Sequence, residues 1–130
     1  MIFKQVFDQK SSTYTYLIAS STGREALIID PVLENVEDYI KLLSELDLRL
    51  VKVIDTHIHA DHVTGAGKLR DKTKCVTIMG DRTPADAVEI KVKDEEVIKL
   101  DELNITALYT PGHTSDSFSF LMGNYLFSGD

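Results

Sequence analysis

Residues 51–70 read VKVIDTHIHADHVTGAGKLR. The stretch opens with apolar and β-branched residues, and with its upstream neighbours it predicts a strand over 48–55. It closes as a helix, predicted to run from about Asp61 or His62 to Arg70. Between the two, His57, His59, Asp61 and His62 fall within six residues. On a continuous helix, side chains two apart diverge by about 200°, which would scatter these groups. A loop leaving the end of a strand can converge them. The order strand, polar loop, helix is that of an α/β layer, and Asp61 is also placed to cap the helix.

Working outward, the rest of the chain alternates in the same way. Residues 13–19 and 25–30 predict strands, the second stopped by Asp30-Pro31. Over 34–47, Val36, Tyr39, Ile40, Leu43 and Leu46 recur at helical spacing with charges between them, the pattern of a helix that covers a sheet. Residues 74–79 predict another apolar strand and 81–87 a loop. Val88, Ile90 and Val92 alternate with charged residues as a half-exposed strand does. Short strands are expected at 97–100 and 104–110. Gly123-Asn124, between two apolar runs, predicts a hairpin over 118–128. The class is α/β with a large mixed or antiparallel component, in one domain spanning 1–130.

Composition narrows the function. The net charge is −7 and no Lys/Arg cluster is present, which argues against nucleic acid as a partner. No apolar run approaches the ~20 residues that span a bilayer, so no membrane partner is expected. The start lacks the features of a secretory signal. Cys75, the single cysteine, cannot form an internal disulfide. A reducing, cytoplasmic setting is the expectation.

Three histidines and an aspartate packed as H-x-H-x-D-H suit a divalent cation, which removes the cost of crowding imidazoles together. The fourth histidine, His113, follows a strand and a Pro-Gly turn in YTPGHTSDSF. Asp130 follows the strand of YLFSGD. His57, His113 and Asp130 thus each come after a predicted strand and would meet at one sheet rim if those strands are neighbours. Asp30, after ALII, sits similarly and reads as a turn or hydrogen-bond acceptor behind the site. Cys75 reads as core, and Tyr14 and Tyr16 as core or pocket wall.

The H-x-H-x-D-H run, the later histidine in TPGHT and the later aspartate in SGD resemble the metallo-β-lactamase superfamily. That resemblance implies an αββα sandwich with metal at one edge of its two sheets, of which this chain would form the first half. FDQKSSTYTYLIA, IIDPVLE, THIHADHVTGAGKLR and TPGHTSDSFSF are similar to the persulfide dioxygenase (sulfur dioxygenase) branch, close to the hydroxyacylglutathione hydrolases. The branch implies one Fe(II) per chain, held by His57, His113 and Asp130, with O2 and glutathione persulfide as substrates and sulfite and glutathione as products. No catalytic side chain beyond the metal site is implied. His59, Asp61, His62 and Asp30 would stand behind the ligands.

The hydrolase alternative uses the same residues for two zinc ions. His57, His59 and His113 hold one, Asp61 and His62 the other, and Asp130 bridges to support thioester cleavage. The superfamily's proteins are longer than this chain, which stops at Asp130. The expectations are therefore a piece of a longer protein lacking its C-terminal half, a catalytically silent half-domain that binds metal or a partner, or a homo-oligomer whose copies complete one another.

Overall fold

The computed structural model describes residues 1–21, 24–57, 64–83, 88–112 and 114–128. Strand β3 (Glu25–Ile29) shows how its layers arise. Leu27 and Ile29 enter one core while Ala26 and Ile28 enter another, as side chains of period two must. An uninterrupted apolar run is the mark of a strand covered on both faces.

Among the described residues, two sheets form. The first runs in the order β1 (Ile2–Asp8), β2 (Thr13–Ala19), β3, β4 (Arg49–Ile54), β5 (Val76–Gly80) and β6 (Ile90–Val92). Its first three strands pair antiparallel and β3 to β6 pair parallel. The second sheet is wholly antiparallel, in the order β10 (Tyr125–Phe127), β9 (Phe118–Met122), β8 (Leu103–Tyr109) and β7 (Val97–Leu100). Ile18, Leu27, Ile29, Ile54 and Ile78 of the first sheet pack against Leu100, Ile105, Phe118 and Phe120 of the second. Each such side chain contributes roughly 1.5–3 kcal/mol by leaving water. On the outer face of the first sheet lie the helices α1 (Val36–Glu45) and α2 (Ala66–Thr73), which bury Val36, Tyr39, Leu43 and Leu69 against Leu17, Ile28, Leu50 and Val53.

A register shift between β3 and β4 sets Ala26 opposite Leu50 but Leu27 opposite Lys52. The extra residue, Val51, is a bulge, and it places Leu50 and Val53 on the same face although they are three apart. Gly80 ends β5 where a Cβ would sit 2.0 Å from the Phe118 ring. Only glycine lets the second sheet approach the first so closely there.

A directed chain of hydrogen bonds ties α1 to the end of β3. The Thr15 hydroxyl donates to the Asp30 carbonyl at 2.7 Å, which spends its proton. At the 3.1 Å contact between the two hydroxyls, Tyr39 therefore donates to Thr15. The Tyr39 oxygen in turn accepts the Val32 N–H at 3.1 Å.

The predicted strands at 13–19 and 25–30, the helix within 34–47 and the hairpin within 118–128 are present. Several boundaries move. Lys74 takes a left-handed conformation (φ 64°) to close α2, so the strand predicted from 74 begins at Val76. Cys75 precedes that strand and is buried, with its thiol pKa pushed up by burial. Thr64 bridges to Val32 and Gly65 N–H donates to the Pro31 carbonyl, so α2 starts at Ala66, not at 61 or 62. Asp61 lies outside the described residues, and the helix N-cap is Gly65. The expected alternation at 88–92 shrinks to a three-residue strand in which Ile90 is exposed. Tyr14 is 50% exposed and packs at a tilt against Phe7 instead of joining the core, whereas Tyr16 packs against the core. β1 was not anticipated from sequence. Its pairing across the 8–13 turn with β2 is the signal that alternation in 2–8 only weakly carries.

Two substitutions test this packing. Gly80→Ala is expected to cost about 1–3 kcal/mol in urea unfolding through overpacking, whereas Gly112→Ala, with open space around the new methyl, changes stability by less than about 1 kcal/mol. Tyr39→Phe removes the acceptor of a buried backbone N–H and should cost about 1–3 kcal/mol in the same measurement.

Candidate metal centre

Strand pairing brings two of the candidate residues, Asp30 and His57, to one edge. β3, β4 and β5 run parallel, so their C-terminal ends share a rim. Tyr16 pairs with Ile29, so the start of β2 lies at that rim as well. Asp30 follows β3, and Asp55, Thr56 and His57 follow β4. All four are buried, with Asp30 at 3% and His57 at 6% exposure.

Asp30 turns the chain with a positive φ of 55°, a conformation aspartate tolerates better than bulky or β-branched residues do. Its N–H donates to the Ile54 carbonyl at 2.7 Å, and its own carbonyl is held by Thr15. The turn aims its carboxylate across to the end of β4. There Oδ1 accepts the Thr56 backbone N–H and Oδ2 the Thr56 hydroxyl, each at 2.8 Å. The Thr56 oxygen lies 2.9 Å from His57 Nδ1. Asp30 is thus a turn residue whose carboxylate accepts hydrogen bonds from Thr56.

Neighbouring contacts close the surrounding loops. The Thr64 hydroxyl donates to Asp55 Oδ2 at 3.1 Å, which ties together the two ends of the segment 56–63. Phe118 N–H donates to the Thr56 carbonyl at 2.9 Å and thereby joins the second sheet to the residue before His57. The loop between β8 and β9 is braced by Thr110 N–H on the Ser117 carbonyl at 3.0 Å, and by Gly112 N–H on the Thr114 carbonyl at 3.2 Å. The Tyr109 hydroxyl donates to the Ser115 carbonyl at 2.8 Å. His113 is the residue between Gly112 and Thr114. Sequence reading missed Thr56, Thr15 and Tyr39. The one available signal was a hydroxyl residue directly before the first histidine of the cluster.

His57 is the histidine among the described residues. His59, Asp61, His62, His113 and Asp130 lie outside them. Among the described residues no three His, Cys, Asp or Glu side chains are grouped to hold a metal. His57 itself fits a ligand's requirements. A metal-binding imidazole needs its second nitrogen hydrogen-bonded and that partner fixed in turn, and the Asp30–Thr56–His57 contacts provide both. Among the described residues no helix is long and apolar enough to cross a membrane.

Comparison with known proteins gives this geometry a context. The mitochondrial persulfide dioxygenase ETHE1 of Bos taurus is 36% identical over 133 aligned residues, covering 100% of this chain and 52% of that protein. A probable hydroxyacylglutathione hydrolase of Schizosaccharomyces pombe is 36% identical over 82% of this chain and 42% of its own length. The crystal structure of ETHE1 from Myxococcus xanthus superposes with a TM-score of 0.93 at 44% identity, over 97% of this chain and 56% of that one. The chain spans about half the length of the curated relatives it matches. The fold expected from sequence is therefore shared with the Myxococcus xanthus structure. Since the model of the metallo-beta-lactamase superfamily matches residues 9–130, the chain belongs to that superfamily.

Proposed function

We propose that this chain carries the metal site of an iron-dependent persulfide dioxygenase, which converts glutathione persulfide, O2 and water to glutathione and sulfite. The observation that carries the reading is the 44% identity, sustained over 97% of the chain, to the Myxococcus xanthus ETHE1 structure. The proteins named persulfide dioxygenase match the whole chain at 35–36% identity, whereas the hydrolases are 36% identical over 80–82% of it or 28–32% identical over 90–97%. One Fe(II) would be held by His57, His113 and Asp130, a two-histidine, one-carboxylate set that leaves positions open. Bound there, iron supplies the electron-transfer chemistry that O2 requires and a soft site for sulfur.

The described residues support the site from behind. Asp30 and Thr56 fix His57 at the rim, burial around His57 limits water, and the Phe118–Thr56 hydrogen bond holds the second sheet against the same point. His59, Asp61 and His62 have no ligand role in this reading. In the two-zinc hydrolase reading they hold metal, with His57, His59 and His113 on one ion, Asp61 and His62 on the other, and Asp130 as bridge. The bovine relative is named mitochondrial. For this chain we propose a reducing compartment such as the cytoplasm, which suits a buried free cysteine and a ferrous ion.

Metal analysis of protein purified without added metal, paired with O2 uptake on glutathione persulfide, tests the proposal. The expected result is one iron per chain and uptake of O2. His57→Ala should lower iron retention at least ~10-fold, while Asp61→Ala and His62→Ala should leave it near the parent value. Two zinc ions with thioester cleavage, or no metal and no turnover, would contradict the proposal.

A further inference from the structure

We infer that Thr56 is a positioning residue that selects the tautomer of His57, placing the proton on Nδ1 and leaving the lone pair on Nε2 for a metal. The inference deepens the metal-site reading and rests on proton counting. A hydroxyl has one proton to give. Thr56 gives its proton to Asp30 Oδ2 at 2.8 Å, because the carboxylate can only accept. At the 2.9 Å contact with His57 Nδ1 the Thr56 oxygen must then be the acceptor, so Nδ1 carries hydrogen.

Neutral histidine side chains in water favour the opposite tautomer, with the proton on Nε2. The contact therefore imposes a state that the free side chain does not prefer. Asp30 is held at its backbone N–H, its backbone carbonyl and both carboxylate oxygens, so the direction of the relay is set by the fold before any metal arrives. Thr56 is itself held at its backbone N–H by Asp30 and at its backbone carbonyl by Phe118 N–H.

The relay predicts that one isosteric change inverts it. In Asp30→Asn, the Thr56 backbone N–H keeps an oxygen as its partner, which turns the new amide NH2 toward the Thr56 oxygen. The amide then donates to the hydroxyl, the hydroxyl proton is released toward Nδ1, and His57 moves to the Nε2–H tautomer. An aspartate-to-asparagine change beside the catalytic histidine of serine proteases traps the wrong tautomer by the same logic.

The test is 15N correlation spectroscopy of the histidine rings in the metal-free chain, paired with titration by Co(II) as an oxygen-stable probe. The parent and Thr56→Ser should show Nδ1–H at His57. Thr56→Val should lose that preference and Asp30→Asn should invert it, both weakening Co(II) binding by roughly 10–100-fold with the fold retained by circular dichroism. Nε2–H in the parent, or Nδ1–H retained in Asp30→Asn, would overturn the inference. A parent chain that shows Nδ1–H but binds no Co(II) supports the tautomer assignment and counts against the metal reading instead.

Discussion

The Asp30 carboxylate, gripping Thr56 through two hydrogen bonds of 2.8 Å, is the constraint on which the rim of this sandwich depends. It is buried, and it stands at the end of one parallel strand and reaches the end of the next. A buried carboxylate is tolerated only when its lone pairs are met by donors, and two of the donors here come from Thr56, just past the end of the neighbouring strand. The left-handed turn at Asp30 (φ 55°) is part of the same device, since it points the side chain across instead of along its own strand. Thr15 and Tyr39 extend the grip to α1. A helix, three strands and the residue before His57 are thereby held in one hydrogen-bonded unit.

At this rim the second sheet is joined by a backbone contact and a close approach. Phe118 N–H reaches the Thr56 carbonyl at 2.9 Å, and the Phe118 ring lies over Gly80, where any side chain would collide with it. Phe118 begins β9, directly after the loop that bears His113. The residue before His57 and the strand that follows the 110–117 loop are thus positioned relative to each other by the packing of the core. This is how a fold can hold ligands from distant parts of a chain in register.

Much of this was legible in sequence because its causes are local. β3 is an apolar run closed by Asp30-Pro31, α1 has apolar residues at helical spacing, and the β9–β10 hairpin turns at Gly123-Asn124. The placement of the histidine cluster after β4 follows from the same local reading, and the motifs that resemble the superfamily agreed with the match over residues 9–130. Features that depend on partners were not legible. The edge strand β1 owes its existence to pairing with β2. The start of α2 is set by the bridge between Val32 and Thr64, and the bulge at Val51 by the register of β4 against β3. The roles of Thr15, Tyr39 and Thr56 require knowing which hydroxyl faces which acceptor, and no spacing rule encodes that. His59, Asp61, His62, His113 and Asp130 lie outside the described residues, so their roles stand on the family's motifs.

Under the proposed function this chain would hold a single iron through two imidazoles and one carboxylate. X-ray absorption at the iron edge of the Fe(II)-loaded chain tests it most directly. The account predicts scattering from two histidine rings and from oxygen ligands, with no second metal nearby. A metal–metal vector at about 3.5–4 Å, or three imidazoles on one ion, would contradict it.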